Sequence, residues 1–240
     1  MLEIVGDSGS CHGGDLKGAL RCIDAAAEAG LKLVKLQLFP ALGSGANIPL
    51  SPAHIKPIKK YADSMGIQVF ASVWDDAGMA ALYNAGCKRV KFAYSQRNSR
   101  LLHTACSQFD EVYVSMDLTD SYRFLDPKIT RLYVVALYPL VYTIDFTGIF
   151  PRMHGFSDHS IAPNNARAAV LAGAEVIECH FKCDDPAACP DAEFAKDKYA
   201  LREYIQEVTD VYTAARGKRH DGETVQQNTD TVGDKECQEV

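Results

Sequence analysis

Residues 67–93 read IQVFASVWDDAGMAALYNAGCKRVKFA. An apolar run rich in β-branched and aromatic residues, Ile67–Val73, gives way to a helix-period stretch near 76–85. A glycine at 86 follows, and then a second apolar run, Arg89–Ala93. Short apolar runs bounded by turn residues read as buried strands, and a strand–helix–strand order is the unit that joins parallel strands. The same alternation extends in both directions. Further strands are expected at Leu2–Gly6, Lys32–Leu38, Val112–Met116, Leu132–Leu137, Met153–Ser157 and Val176–Phe181. Helical stretches fall near 15–29, 52–65, 98–107, 163–172 and 198–215, with weaker ones after the fifth and sixth strands.

Eight such units predict an α/β fold, a compact single-domain (β/α)8 TIM barrel over residues 1–216, with an open doubly wound sheet as the alternative. Local punctuation agrees with the element order. Asp15 precedes an amphipathic run that ends at Gly30, Ser51-Pro52 has the form of an N-cap followed by proline, and Gly66 and Gly86 follow helix ends.

The chain has 240 residues, 47% hydrophobic and 23% charged, which suits an ordinary globular protein. No apolar run approaches the roughly 18 residues that span a bilayer, and the N-terminal MLEIVGDSGSCHGGD lacks the pattern of a signal peptide. A cytoplasmic protein with no membrane partner is expected. Net charge is −6, and half of it lies in residues 217–240, a polar stretch without apolar periodicity that reads as a disordered tail. The remaining body has no basic stripe, so no nucleic-acid partner is expected. Eight cysteines in a chain of this size read as reduced thiols. Cys179, His180, Cys183 and Cys189 cluster, but without the close C-x2-C pairs of structural zinc sites.

Chemistry in a barrel is built where the strands end at their C-terminal face, and nearly every strand here ends in a polar residue. Asp7 follows the first strand, and Lys35 and Gln37 share one face of the second. Ser72, Lys91, Ser115 and Tyr138 close the third to sixth; Ser157, Asp158 and His159 end the seventh, and His180 lies on the eighth. A lone strand lysine usually snorkels and a lone strand histidine is usually a hydrogen-bonded core residue. Two lysines converging in a barrel would be costly without anions, which points to a phosphate or carboxylate ligand. Two histidines on adjacent strands can share a metal, with Asp7 or Asp191 as a carboxylate or water-mediated ligand. Alternation turns Asp158 away from Ser157 and His159, toward a structural role. The loop Cys11-His12-Gly13-Gly14-Asp15 is a weak signal for close ligand approach.

Gly155-Phe156-Ser157-Asp158-His159-Ser160, followed by Gly173-Ala174-Glu175-Val176-Ile177-Glu178-Cys179-His180-Phe181, resembles a signature of the sialic acid (N-acetylneuraminate) synthase family, which includes pseudaminic and legionaminic acid synthases. Val34-Lys35-Leu36-Gln37, Lys91-Phe92-Ala93, Tyr138-Pro139 and His12-Gly13-Gly14-Asp15-Leu16 are similar to further family segments, in order, over roughly residues 3–215. The resemblance implies a metal-dependent transferase that condenses phosphoenolpyruvate with an N-acetylated amino-sugar aldehyde of the ManNAc type, giving a nine-carbon 2-keto acid and phosphate.

It further implies that His159 and His180 bind a divalent metal, manganese or alternatively magnesium, and that Lys35 and Lys91 bind phosphoenolpyruvate. Ser72, Ser115, Ser157, Tyr138 and Gln37 would contact substrate, with Asp7 and Asp191 joining Lys35, Lys91 and His159 in the catalytic set. The departures are Asp7 for a glutamate, Cys11 for an asparagine, Tyr94 for a serine, Gln96 for an acid, Ala136 for an asparagine and Ala192 for a histidine. Family members commonly continue into an antifreeze-like domain that reaches over a partner barrel in a dimer. A homodimer is allowed here, but 240 residues leave no room for that domain. Two other readings stay open: another aldolase-type carbon–carbon bond former, and a silent barrel that binds a sugar acid or a protein partner.

Overall fold

The computed structural model describes residues 1–38, 48–120, 126–150, 152–187 and 190–216. Eight parallel strands close in sequence order into a barrel: β1 (Glu3–Asp7), β2 (Leu33–Leu38), β3 (Gln68–Val73), β4 (Arg89–Phe92), β5 (Glu111–Met116), β6 (Ile129–Val134), β7 (Gly155–Asp158) and β8 (Val176–His180). Helices α1 (Leu16–Ala29), α2 (Ile55–Ser64), α3 (Asp76–Asn84), α4 (Leu102–Gln108), α5 (Asn164–Ala172) and α6 (Lys198–Arg216) surround it. No membrane-length apolar helix occurs among the described residues. The stretch 217–240, read as a tail, and Cys189 and Cys237 lie outside the described residues.

The expected caps form. Asp15 accepts a 2.7 Å hydrogen bond from the Gly18 amide, and Gly30 closes α1 at φ +86°, a left-handed conformation that a side chain would disfavour. A side-chain cap of this kind is worth about 1 kcal/mol. Ala19, Cys22, Ile23 and Ala26 line the buried face of α1 at helical spacing.

Two expectations fail. Among the described residues no helix follows β5 or β6; turns connect them instead. The sixth strand runs Ile129–Val134 rather than Leu132–Leu137, because its ladder with β5 begins at Val112 opposite Ile129 and its ladder with β7 ends at Val134 opposite Ser157. The apolar residues beyond, Val135 to Leu137, continue the composition of a strand without a partner to pair with.

The barrel interior is layered. Val5, Leu33, Phe70, Tyr113, Leu132 and Val176 form an apolar plug across its middle. Below it Arg89 bonds Glu3 and Glu111, sealing the N-terminal end with paired charges. At Gly155 β7 lies too close to β8 for a side chain, since a Cβ there would lie 2.2 Å from the Val176 carbonyl oxygen. Directly above the apolar plug lie the charged side chains Asp7, Lys35, Lys91 and Glu178, which form the floor of the site.

Candidate active site

The C-terminal strand ends surround a cavity of about 480 Å³. Strand alternation decides what enters it. The residue two past Val5 is Asp7, two past Leu33 is Lys35, and two past Val176 is Glu178. The parallel register then places Asp7 beside Lys35 and His180, Glu178 beside Ser157, and Ser72 beside Lys91. Every candidate site residue lines this one cavity. Asp7, Lys35, Gln37 and Ser72 come from the first three strands, and Lys91, Ser115, Tyr138 and Ser157 from the next four and their loops. His159, His180 and Asp191 complete the wall. The glycine loop at 11–14 is not among its lining residues, and Asp158 faces outward as alternation predicts, bonded by the Ser160 amide and the Tyr204 hydroxyl.

The floor is a buried ion network. Lys35 Nζ lies 2.6 Å from Asp7 Oδ2 and 3.4 Å from Glu178 Oε2, and Lys91 Nζ lies 2.5 Å from Glu178 Oε1. Ser157 donates to Glu178 Oε1 at 2.7 Å, and the Gln37 amide donates to both Asp7 oxygens. Two ammonium groups and two carboxylates sum to zero charge. This corrects the expectation that the lysines require an external anion: their counterions are internal, and Glu178 is the one carboxylate of the two that faces both lysines. Glu178 is absent from the candidates that strand ends offer, although it stands two residues before His180 and so shares its face.

The electrostatics follow from burial set against these partners. Burial opposes ionisation of Asp7 and Glu178, yet Lys35 and, for Glu178, Lys91 hold both carboxyls below their usual range. Burial also opposes the Lys35 charge, but Asp7 and Glu178 outweigh it and raise that ammonium above its ordinary value. Lys91 goes the other way. Burial brings it down to about 8 despite Glu178, with Lys35 adding like-charge repulsion. Burial holds the His159 imidazole well below its ordinary value, so it is neutral at pH 7.

The two histidine rings lie 5.2 Å apart, with Tyr138 4.2 Å from His159 and Phe194 5.0 Å from His180. His159 Nδ1 and His180 Nδ1 are buried and accept or donate no hydrogen bond. Among the described residues no third His, Cys, Asp or Glu joins them in a ready-made metal cage. Asp7 Oδ2 instead faces His180 Nε2 at 3.4 Å, and Asp191 Oδ1 faces its Nδ1 at 3.9 Å. Both carboxylates thus lie against the His180 ring, within reach of a water-mediated contact to an ion held by the histidines. Asp191 is fixed by the Ser10 amide, 3.1 Å from Oδ2. Gly9, at φ +52°, leaves the space it occupies.

Trp74 and Phe194 also line the cavity, beyond the residues expected from the sequence. Trp74 is the residue after β3, one step beyond the alternation that found Ser72. Phe194 sits in an irregular loop that no periodicity describes. Cys179 does not line the cavity, and burial pushes its thiol up to about 12; among the described residues no group of three or more metal-ligating side chains forms around His180, and Cys189 lies outside them.

The NeuB family model matches residues 139–220. The N,N'-diacetyllegionaminic acid synthase of Legionella pneumophila is 25% identical over 88% of this chain and 72% of its own length. The spore coat polysaccharide biosynthesis protein SpsE of Bacillus subtilis is 26% identical over 84% of this chain and 65% of its own, and its crystal structure superposes with a TM-score of 0.74. The N-acetylneuraminic acid synthetase structure from Leptospira borgpetersenii, 23% identical over 92% of this chain and 88% of its own, shares the fold at a TM-score of 0.79.

Proposed function

We propose that this chain, a NeuB-family barrel, condenses phosphoenolpyruvate with an amino-sugar aldehyde, and that the acceptor is an N-acetylated aldose of the ManNAc type, giving a nine-carbon 2-keto acid and phosphate. The observation that carries this reading is the convergence of Lys35, Lys91, His159, His180 and Asp191 on one cavity at the C-terminal end of the barrel.

Lys35 and Lys91 hold the anionic enol ester from the floor, with the Ser72, Ser115 and Ser157 hydroxyls around it. The methylene carbon of the enol forms the new bond to the aldehyde carbon, whose oxygen takes up a proton. Water adds to the phosphate-bearing carbon and loses one proton, matching the one taken up by the aldehyde oxygen; the carbon–oxygen bond to phosphate then breaks as the new hydroxyl gives its remaining proton to the departing phosphate, leaving the 2-keto group. Asp191 is the most open of the lining carboxylates, its side chain 12% exposed against 2% for Asp7 and Glu178. With Oδ2 anchored, it is placed to accept the proton of the attacking water. Holding both substrates in one cavity supplies much of the acceleration.

The buried Nδ1 atoms without hydrogen bonds fit His159 and His180 as a two-histidine metal site, its other positions left to water and substrate. A divalent ion held by them, Mn2+ by preference, would supply Lewis-acid polarisation of the acceptor carbonyl. The test is phosphate release from phosphoenolpyruvate with Mn2+ across a panel of N-acetylhexosamines and their phosphorylated forms. Release that requires both metal and an aldose supports the reading; no release with any aldose of the panel overturns it.

A further inference from the structure

Lys196 is 94% buried in a position where an apolar side chain would pack at less expense of desolvation. Its surroundings show what the charge is for. The backbone of Lys196 pairs with the end of β8: Lys196 N donates to the His180 carbonyl at 3.1 Å, and Lys182 N donates to the Lys196 carbonyl at 2.8 Å, forming a parallel bridge with Phe181. The side chain crosses to the neighbouring strand, where Nζ donates to the Ser160 carbonyl at 3.0 Å and sits 4.6 Å from the centre of the Tyr204 ring. Tyr204, from α6, donates to Asp158 Oδ2 at 2.8 Å. His159 is the residue between Asp158 and Ser160, so both of its chain neighbours are held from outside the barrel.

One residue therefore ties the exit of β7 to the exit of β8. The segment it ends carries two groups of the site: Asp191, whose carbonyl accepts from the Ala195 amide at 2.9 Å, and Phe194, which packs on both histidine rings. We infer that Lys196 is a positioning residue: from behind the barrel wall its buried ammonium fixes His159, His180 and the Asp191–Phe194 segment relative to one another. Groups outside a ligand shell act on metal affinity by this route, at about 10–100-fold for each. The inference rests on the reading of His159 and His180 as the metal-holding pair.

The test compares the full chain with its Lys196→Met and Lys196→Arg variants. Hydrogen exchange followed by mass spectrometry, without ligand, is expected to show faster exchange in K196M confined to peptides covering 159–162 and 180–196, with β1 to β4 unchanged. Mn2+ affinity, read from the free-ion paramagnetic resonance signal, is expected to fall about tenfold or more in K196M, and K196R, which keeps a donor for the Ser160 carbonyl, is expected to recover most of it. Uniformly faster exchange, unchanged exchange, or K196M affinity within about twofold of wild type would each overturn the inference. If K196M does not fold, Tyr204→Phe, which removes only the hydroxyl on Asp158, must shift the same peptides; unshifted peptides overturn it equally. If the wild-type chain binds no Mn2+, the metal half of the proposed function falls, and the exchange comparison alone decides the role of Lys196.

Discussion

Glu178→Gln keeps the shape of the side chain and removes its charge from the centre of the floor network. Glu178 accepts from Lys91 at 2.5 Å and Ser157 at 2.7 Å and faces Lys35 at 3.4 Å. With it gone Lys35 retains Asp7, but Lys91 loses its ion pair. Breaking one partner of a buried pair costs about 3–5 kcal/mol, which for a domain of this size is a fall of about 6–20 °C in Tm. Burial has already brought Lys91 down to about 8 with Glu178 opposing it, so the variant lysine gives up its proton near neutral pH. Urea unfolding at pH 7, followed by the fluorescence of Trp74, the chain's single tryptophan, reads the loss directly. A second arm adds inorganic phosphate. An anion that takes the place of the missing carboxylate stabilises the variant by RT ln(1 + [L]/Kd), about 2.7 kcal/mol at a hundredfold excess over Kd, and should stabilise it more than the wild type. The acid side has a definite sign. The depressed Glu178 carboxyl contributes stability that is present above its unfolded value of 4.5 and is lost as pH falls toward the folded one. The gap between the two proteins must therefore close below about pH 4.5. A variant within about 1 kcal/mol of wild type at pH 7, indifferent to phosphate, would refute the account, because that is the range of an ion pair exposed to water.

Lys91 sets the alkaline limit. With its ammonium titrating near 8, phosphoenolpyruvate binding, followed by Trp74 fluorescence, is expected to weaken about tenfold per pH unit above that value, and Lys91→Met should bind weakly with no such slope. The same depressed value penalises the folded state below pH 8 and relaxes as pH rises toward 10.5, so this group's contribution to stability increases across that window. His159→Ala and His180→Ala are each expected to abolish Mn2+ binding in metal analysis of the dialysed protein; metal retained at wild-type level would show that the pair is assigned wrongly. Gly155→Ala places a methyl group 2.2 Å from the Val176 carbonyl and should cost about 3 kcal/mol or more by thermal denaturation. An unchanged Tm would mean that β7 and β8 can separate freely.

The fold was legible because each strand of the barrel is a short apolar run with polar punctuation, and seven of the eight ranges lie within two residues of those expected. The sixth slid by three at each end because composition continues past Val134 where pairing does not. The site was legible through period two, which put Lys35 and Gln37 on one face and His180 on the inside. The same arithmetic, applied backward from His180, reaches Glu178; an acid inside an apolar strand was the available signal. What alternation could not supply is the depth of the lysines, which read as cations seeking a ligand. In the structure each is within 2.6 Å of a carboxylate. Phe194 and the role of Lys196 depend on a loop folding back against β8, a tertiary fact with no local pattern.

An electroneutral floor constrains what can bind to it. The lysines are desolvated and oriented before any ligand arrives, because the strands that carry them are sealed beneath by the apolar plug and their charges are satisfied by Asp7 and Glu178. An incoming anion must compete with carboxylates already in contact with the same ammonium groups. A monoanion exchanges one contact for another and gains little. A ligand that carries a carboxylate and a phosphate on adjacent atoms can engage both lysines at once, and its second negative charge favours the protonated form of Lys91, whose low value in the free protein leaves the most to gain. Selectivity for a doubly anionic enol ester over pyruvate or a simple carboxylate then arises from the internal counterions: removing Glu178 should weaken discrimination among anions even where it strengthens binding of each.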